Sequence, residues 1–159
     1  VAGRGRYLMR ALLDVNVLIA LHDCDHVHHS QAAEWFVGRG QQGWASCPLT
    51  QNGFLRIMGQ SGYSHPQSLA LLMQTLQRST DTAFHQFWPD DLSVLDGARF
   101  NLSHMHSPRQ LTDLYLLGLA VKHQGCLVSF DRRIPLSAVR GANSAHLHVL
   151  SDKKGTGLN

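Results

Sequence analysis

Three aspartates stand where apolar runs end. Asp14 follows Ala11-Leu12-Leu13, Asp131 follows Cys126-Leu127-Val128-Ser129-Phe130, and Asp113 falls in the opening turns of the helix-like stretch Ser107 to His123. A buried strand that ends in a carboxylate has reached the edge at which open α/β sheets bind ligands. Carboxylates that converge there repel one another unless a hard cation neutralises them, and magnesium or manganese prefer such oxygen ligands. The chemistry this implies is metal-assisted work on phosphates. A helix N-terminus favours negative charge, so Asp113 is expected to be ionised and ready for a cation. Asn16 is placed to orient a carboxylate, and Thr112 and Ser129 offer hydroxyls beside Asp113 and Asp131.

The elements that must position these groups follow from apolar periodicity and stop signals. Arg10 to Leu13 reads as a short buried strand leading into a first helix over Val17 to Leu21. Ser30 is a candidate cap for a second helix carrying Ala32, Ala33, Trp35 and Phe36. Trp44 to Cys47 reads as a second strand, and Pro48 opens a helix that runs to Met58. Pro66 opens another, with Leu69, Leu72, Met73 and Leu76 at helical spacing. Phe84 to Leu95, broken by Pro89, reads as a short strand and a loop. Ser107, Pro108 and Gln110 predict an N-cap, a first helical residue and a capping box, with Gly125 as the far stop. Cys126 to Phe130 and Leu147 to Leu150 complete the strands. Strands alternating with helices imply right-handed crossovers and a mostly parallel sheet.

With 159 residues the chain is one domain by length. Residues 9–150 are expected to form it. Residues 1–8 read as an upstream extension or cloning remnant before Met9, and 151–159 as a polar tail. No run approaches the roughly 20 apolar residues that span a bilayer. The three cysteines, Cys24, Cys47 and Cys126, are odd in number and lack C-x-x-C spacing, which suits a reduced cytoplasmic protein in which they serve packing. The formal net charge of +3 is compatible with a polyanionic partner.

Other clusters carry less. The run His22, Asp23, Cys24, Asp25, His26, His28, His29 matches no zinc spacing and reads as a solvated loop. Asp90-Asp91 follows Pro89 and reads as a turn. Trp35, Trp44 and Trp88 suit the core or a dimer interface. Arg132 and Arg133, directly after Asp131, could grip phosphate oxygens or simply be solvated. Arg56 and Lys122, on helices that begin near the acids, could line a groove.

Leu13-Asp14-Val15-Asn16-Val17-Leu18-Ile19, Leu111-Thr112-Asp113-Leu114-Tyr115-Leu116-Leu117 and Leu127-Val128-Ser129-Phe130-Asp131 resemble, in order, the acidic motifs of PIN domains. Ser46-Cys47-Pro48-Leu49-Thr50 with Asn52-Gly53-Phe54-Leu55-Arg56 is similar to the VapC-like branch, the toxin ribonucleases of type II toxin–antitoxin modules. The resemblance implies a three-layer α/β fold with a central, mostly parallel sheet flanked by helices. It implies a magnesium- or manganese-dependent endoribonuclease with an RNA substrate, a cognate antitoxin and frequent homodimerisation. Asp14 and Asp113 would hold the main ion, and Asp131 would bind a second ion or orient the attacking water. Where the family carries a glutamate this chain has Gln51, an amide that can ligate but brings no charge. Two functional alternatives follow: a weak or inactive PIN-like protein that binds RNA or antitoxin without cleaving, and a DNA nuclease of related design.

Overall fold

The computed structural model describes residues 9–151; the extension expected at 1–8 and all but the first residue of the expected tail lie outside them. Five short strands, β1 (Ala11–Leu13), β2 (Trp44–Ser46), β3 (His85–Phe87), β4 (Cys126–Ser129) and β5 (Leu147–Val149), form one sheet in the order β3-β2-β1-β4-β5. Every pairing is parallel, with Leu12 opposite Leu127 and Ala45 opposite Gln86. The helices are α1 (Val15–His22), α2 (His29–Gly38), α3 (Pro48–Met58), α4 (Leu69–Thr80) and α5 (Leu111–Lys122).

The central strands are apolar because both of their faces are covered. Successive side chains alternate across the sheet. Leu12 and Leu127 point to one layer, with Trp88, Phe100 and the α5 residues Leu114 and Leu117. Ala11, Leu13, Cys126 and Val128 point to the other, with Val17 and Leu18 of α1, Phe54 and Met58 of α3, and Leu72 and Leu76 of α4. Gly53 lets α3 approach α1, since a Cβ there would meet Val15 at 2.7 Å.

The element ends differ from expectation where local hydrogen bonds outbid the stop signals. The second helix begins at His29, so Ser30 lies inside it and His28 takes the cap position. The α4 cap is Ser68, whose Oγ accepts the Leu71 N–H at 3.3 Å, and Pro66 precedes it in the loop. Cys47 leaves the strand to cap α3, where its N–H donates to Thr50 Oγ1 at 3.0 Å. Ser107 caps a 3₁₀ turn, Pro108–Gln110, rather than α5 itself; Gln110 closes no capping box and instead donates from Nε2 to the Arg133 carbonyl at 3.3 Å. The left-handed residue ending α5 is Gln124 (φ 55°). Gly125 is needed next because a Cβ there would meet the Arg10 carbonyl oxygen at 2.5 Å. Cys47 and Cys126 are buried as packing requires, but Cys24 is exposed in the loop between α1 and α2. Trp44 and Trp88 are core residues, whereas Trp35 is half-buried against Phe36. Among the described residues no helix is long and apolar enough to cross a membrane.

Candidate metal centre

Because β1 and β4 are adjacent and parallel, their carboxyl ends deliver Asp14 and Asp131 to one sheet edge. Asp14 occupies the cap position of α1, yet its side chain caps nothing further along that helix. Only 6% exposed, it accepts a hydrogen bond from Ser129 Oγ to Oδ2 at 2.9 Å. The same Ser129 Oγ accepts the Asp131 N–H at 3.1 Å. One buried hydroxyl therefore ties the two acids' segments together, the work expected of Asn16. Asn16 is exposed and lines an open cleft of 540 Å³ with Phe130, Asp131, Arg132 and Arg133.

Asp113 lies in the first turn of α5, as expected, but its pKa is shifted in the direction opposite to the one the helix dipole favours. Burial raises its pKa from 3.8 to about 6, helped by the neighbouring charges of Asp14 and then Asp131. Asp14 is raised as well: burial outweighs the bonds from Ser129 and the Val15 N–H, and Asp131 adds repulsion. Desolvation and like charge together exceed what a helix terminus supplies. Thr112 is exposed one residue before Asp113. Asp131 accepts the Arg133 N–H at 2.8 Å and Arg133 Nε at 3.3 Å. That guanidinium is 87% exposed, so the pair is worth under about 1 kcal/mol and leaves Arg133 able to reach a ligand.

The other expected residues have surroundings of their own. Gln51 donates from Nε2 to Ser46 Oγ at 2.9 Å, and Ser46 Oγ lies 2.8 Å from His85 Nε2, so the amide is engaged in a chain of contacts that reaches β3. Its side chain lines a groove between α3 and α4 with Leu55 and Met73. Lys122 does not line a groove at the acids, because Asp91 holds it at 2.9 Å. Asp90 does more than turn the chain: its Oδ2 accepts the Leu49 N–H at 3.0 Å, at the N-terminus of α3. Arg56 is exposed about two turns along α3.

A second acidic group was not expected. Asp23, Asp25 and His65 bring ligand atoms within 4.8 Å of one another, tighter than Asp14, Asp113 and Asp131 among the described residues. Asp23 and Asp25 lie in the histidine-rich loop, but His65 comes from the turn before α4, which sequence spacing does not reveal. Tyr63 donates its hydroxyl to Asp23.

The sequence matches the family model of the PIN domain over residues 11–141. It is 51% identical to Ribonuclease VapC44 of Mycobacterium tuberculosis over 142 residues, covering 89% of this chain and all of that protein. It is 39% identical to Ribonuclease VapC39 of the same organism over 134 residues, 84% of this chain and 96% of that one. Ribonuclease VapC29 is 39% identical over 140 residues, with 88% and 92% covered.

Proposed function

The chain belongs to the PIN domain family, and on that premise we propose that Asp14, Asp113 and Asp131 together hold magnesium or manganese for its ribonuclease chemistry. The protein is the toxin ribonuclease of a toxin–antitoxin module and hydrolyses RNA phosphodiesters. The observation that carries the metal assignment is electrostatic. Two desolvated carboxylates are raised, each partly by the charge of its neighbours, and the cation that touches Asp131 is an exposed arginine. A donor set of one buried and two half-buried, mutually repelling carboxylates fits a hard divalent cation better than any other partner. Spacing wider than a tight cage suits magnesium, which keeps several of its waters.

A divalent ion bound there would lower the pKa of a water ligand and stabilise charge on phosphate oxygens. Asp14 and Asp113 are the principal ligands, and Asp131 completes the set or orients the attacking water. Ser129 is a positioning residue that fixes Asp14 and the Asp131 backbone together. Arg132 and Arg133 border the cleft and can bind phosphate oxygens. The protein acts in the cytoplasm with a cognate antitoxin. The exposed Leu69 and Met73 on α4 support homodimerisation, which size-exclusion chromatography reads.

The test is manganese titration by calorimetry beside RNA cleavage. Wild type binds manganese and cuts; Asp14→Asn and Asp113→Asn lose both. Full cleavage by either variant, or manganese binding that neither weakens, overturns the assignment.

A further inference from the structure

Beside the acids lies an aromatic group that the metal chemistry does not use. Phe130, immediately before Asp131, packs its ring against His28 at 4.7 Å between centroids. Its plane lies within 18° of the His26 ring at 6.4 Å, and the two histidine rings are 5.8 Å apart. All three are only half-buried. Phe130 is also a wall of the cleft that Asn16, Asp131, Arg132 and Arg133 complete.

A backbone hydrogen bond fixes the His26 ring. His26 Nδ1 accepts the His28 N–H at 3.1 Å, which leaves the Nε2–H of the neutral tautomer as a donor. Burial, and then the His28 ring, lower the pKa of His26, so it stays uncharged at neutral pH. Three adjoining π-faces on two loops, next to two guanidinium groups and an amide, form the set that recognises single-stranded nucleic acid: bases stack on rings while cations follow the phosphates. Core packing accounts for the inner side of Phe130, which touches the layer of α1 and α3. It does not account for two histidines carried to Phe130 from a loop about a hundred positions away.

We propose that His26, His28 and Phe130 form a shelf on which a base next to the scissile phosphate of single-stranded RNA stacks, while Arg132 and Arg133 hold the adjoining phosphates. This rests on the ribonuclease reading for the scissile phosphate, but base stacking itself needs no cleavage. The shelf sets the depth at which a nucleotide must sit for its phosphate to face Asp14 and Asp131. It therefore favours unpaired RNA over duplex.

The experiment has two arms. In the first, chelator-treated protein is titrated by fluorescence anisotropy against labelled pentaadenylate and against a ribose-phosphate pentamer of equal charge that lacks all bases. Wild type is expected to prefer the RNA by roughly tenfold or more, as one stacked base gives. Phe130→Leu and His26→Ala lose most of that preference, and Phe130→Tyr keeps it, with affinity for the baseless pentamer unchanged in all three. The second arm measures cleavage of a longer unpaired RNA in manganese. Phe130→Leu raises KM by the same factor and leaves kcat within about twofold. Melting temperatures check that each variant is folded, and His26→Ala serves if Phe130→Leu is not. A wild type indifferent to the bases, or a preference that survives in both folded variants, overturns the shelf. A preference lost in the variants without RNA cleavage by wild type keeps the shelf and refutes the ribonuclease reading.

Discussion

Two acidic groups in this molecule have opposite electrostatics. Asp23 and Asp25 meet His65 at the surface; the side chains of Asp25 and His65 are 67% and 64% exposed, and Asp23 is held below the usual carboxylate range, first by the Tyr63 hydroxyl. Asp14, Asp113 and Asp131 are farther apart, yet Asp14 and Asp113 are pushed up first by burial and then by neighbouring carboxylates, Asp131 acting on Asp14, and Asp14 and Asp131 on Asp113. The surface group is close because hydrogen bonds to Asp23 and the solvent exposure of Asp25 and His65 offset its charge. In the inner group the opposing cation among the described residues is the exposed Arg133 at Asp131, and burial still raises Asp14 and Asp113. Demand for a cation follows the uncompensated charge, not the tightness of the cluster.

The comparison breaks most sharply on cleavage. Asp14→Asn should reduce RNA cleavage by on the order of a thousandfold, equivalent to losing several kcal/mol of transition-state charge stabilisation. Asp23→Asn should leave the rate within about twofold. Equal losses in a cleavage assay would erase the distinction.

Thermal melting sharpens it next. Manganese at about a hundred times its Kd should stabilise wild type by roughly 2.7 kcal/mol, a rise of about 5–10 °C for a chain of this size. Asp14→Asn should show little of that rise and, without metal, should melt higher than wild type because the buried charge is gone. Asp25→Asn should respond to manganese as wild type does.

The pH dependence of the metal-free protein carries opposite signs for the two groups. Folded Asp113 keeps a proton up to about pH 6 that the unfolded chain releases near 3.8. Stability therefore falls as pH rises through that window, and the loss is complete above it. Asp14, also raised, acts in the same direction. Asp23, lowered, stabilises above the usual carboxylate range and loses that contribution as pH falls below it. Melting in chelator from pH 4 to 7 should fall for wild type and fall less steeply in Asp113→Asn, where Asp14 alone of the two raised acids remains. A flat wild-type profile would mean the inner acids are already balanced.

Ser129→Ala removes the hydroxyl bridging Asp14 and Asp131 and should cost about 1–3 kcal/mol of stability by chemical denaturation, together with a moderate loss of cleavage. Gln51→Glu is the smallest change. Its side chain is tied to Ser46, so manganese affinity should stay within about threefold in calorimetry. A larger gain would return position 51 to the acids.

The strands, their parallel arrangement and the three aspartates were readable because each rests on local pattern: an apolar run, a stop, a carboxylate. Asp14 and Asp131 needed only the rule that ligands gather at the carboxyl ends of parallel strands. The upward shift of Asp113 was not readable because a helix dipole is a local property, whereas desolvation and the charges of Asp14 and Asp131 arrive through tertiary contacts. Gln51 shows the same limit. Its position in a motif suggested the acid site, but the direction of its amide depends on Ser46 and His85, the latter 34 positions further on. The helix start at Leu69 follows from Ser68, a cap that competes with Pro66 as a start signal, whereas the starts at His29 and Leu111 have no side-chain cap that a sequence signal could have marked.

The hydrogen bond from Ser129 to Asp14 joins positions 115 residues apart. β1 can pair with β4 only after nearly the whole domain has been synthesised. Closing such a distant contact is a late, slow event in folding. A chain still growing on the ribosome therefore carries Asp14 without Asp131, and on the proposed metal assignment the nuclease stays idle beside the RNA around it until β4 and Asp131 have been translated.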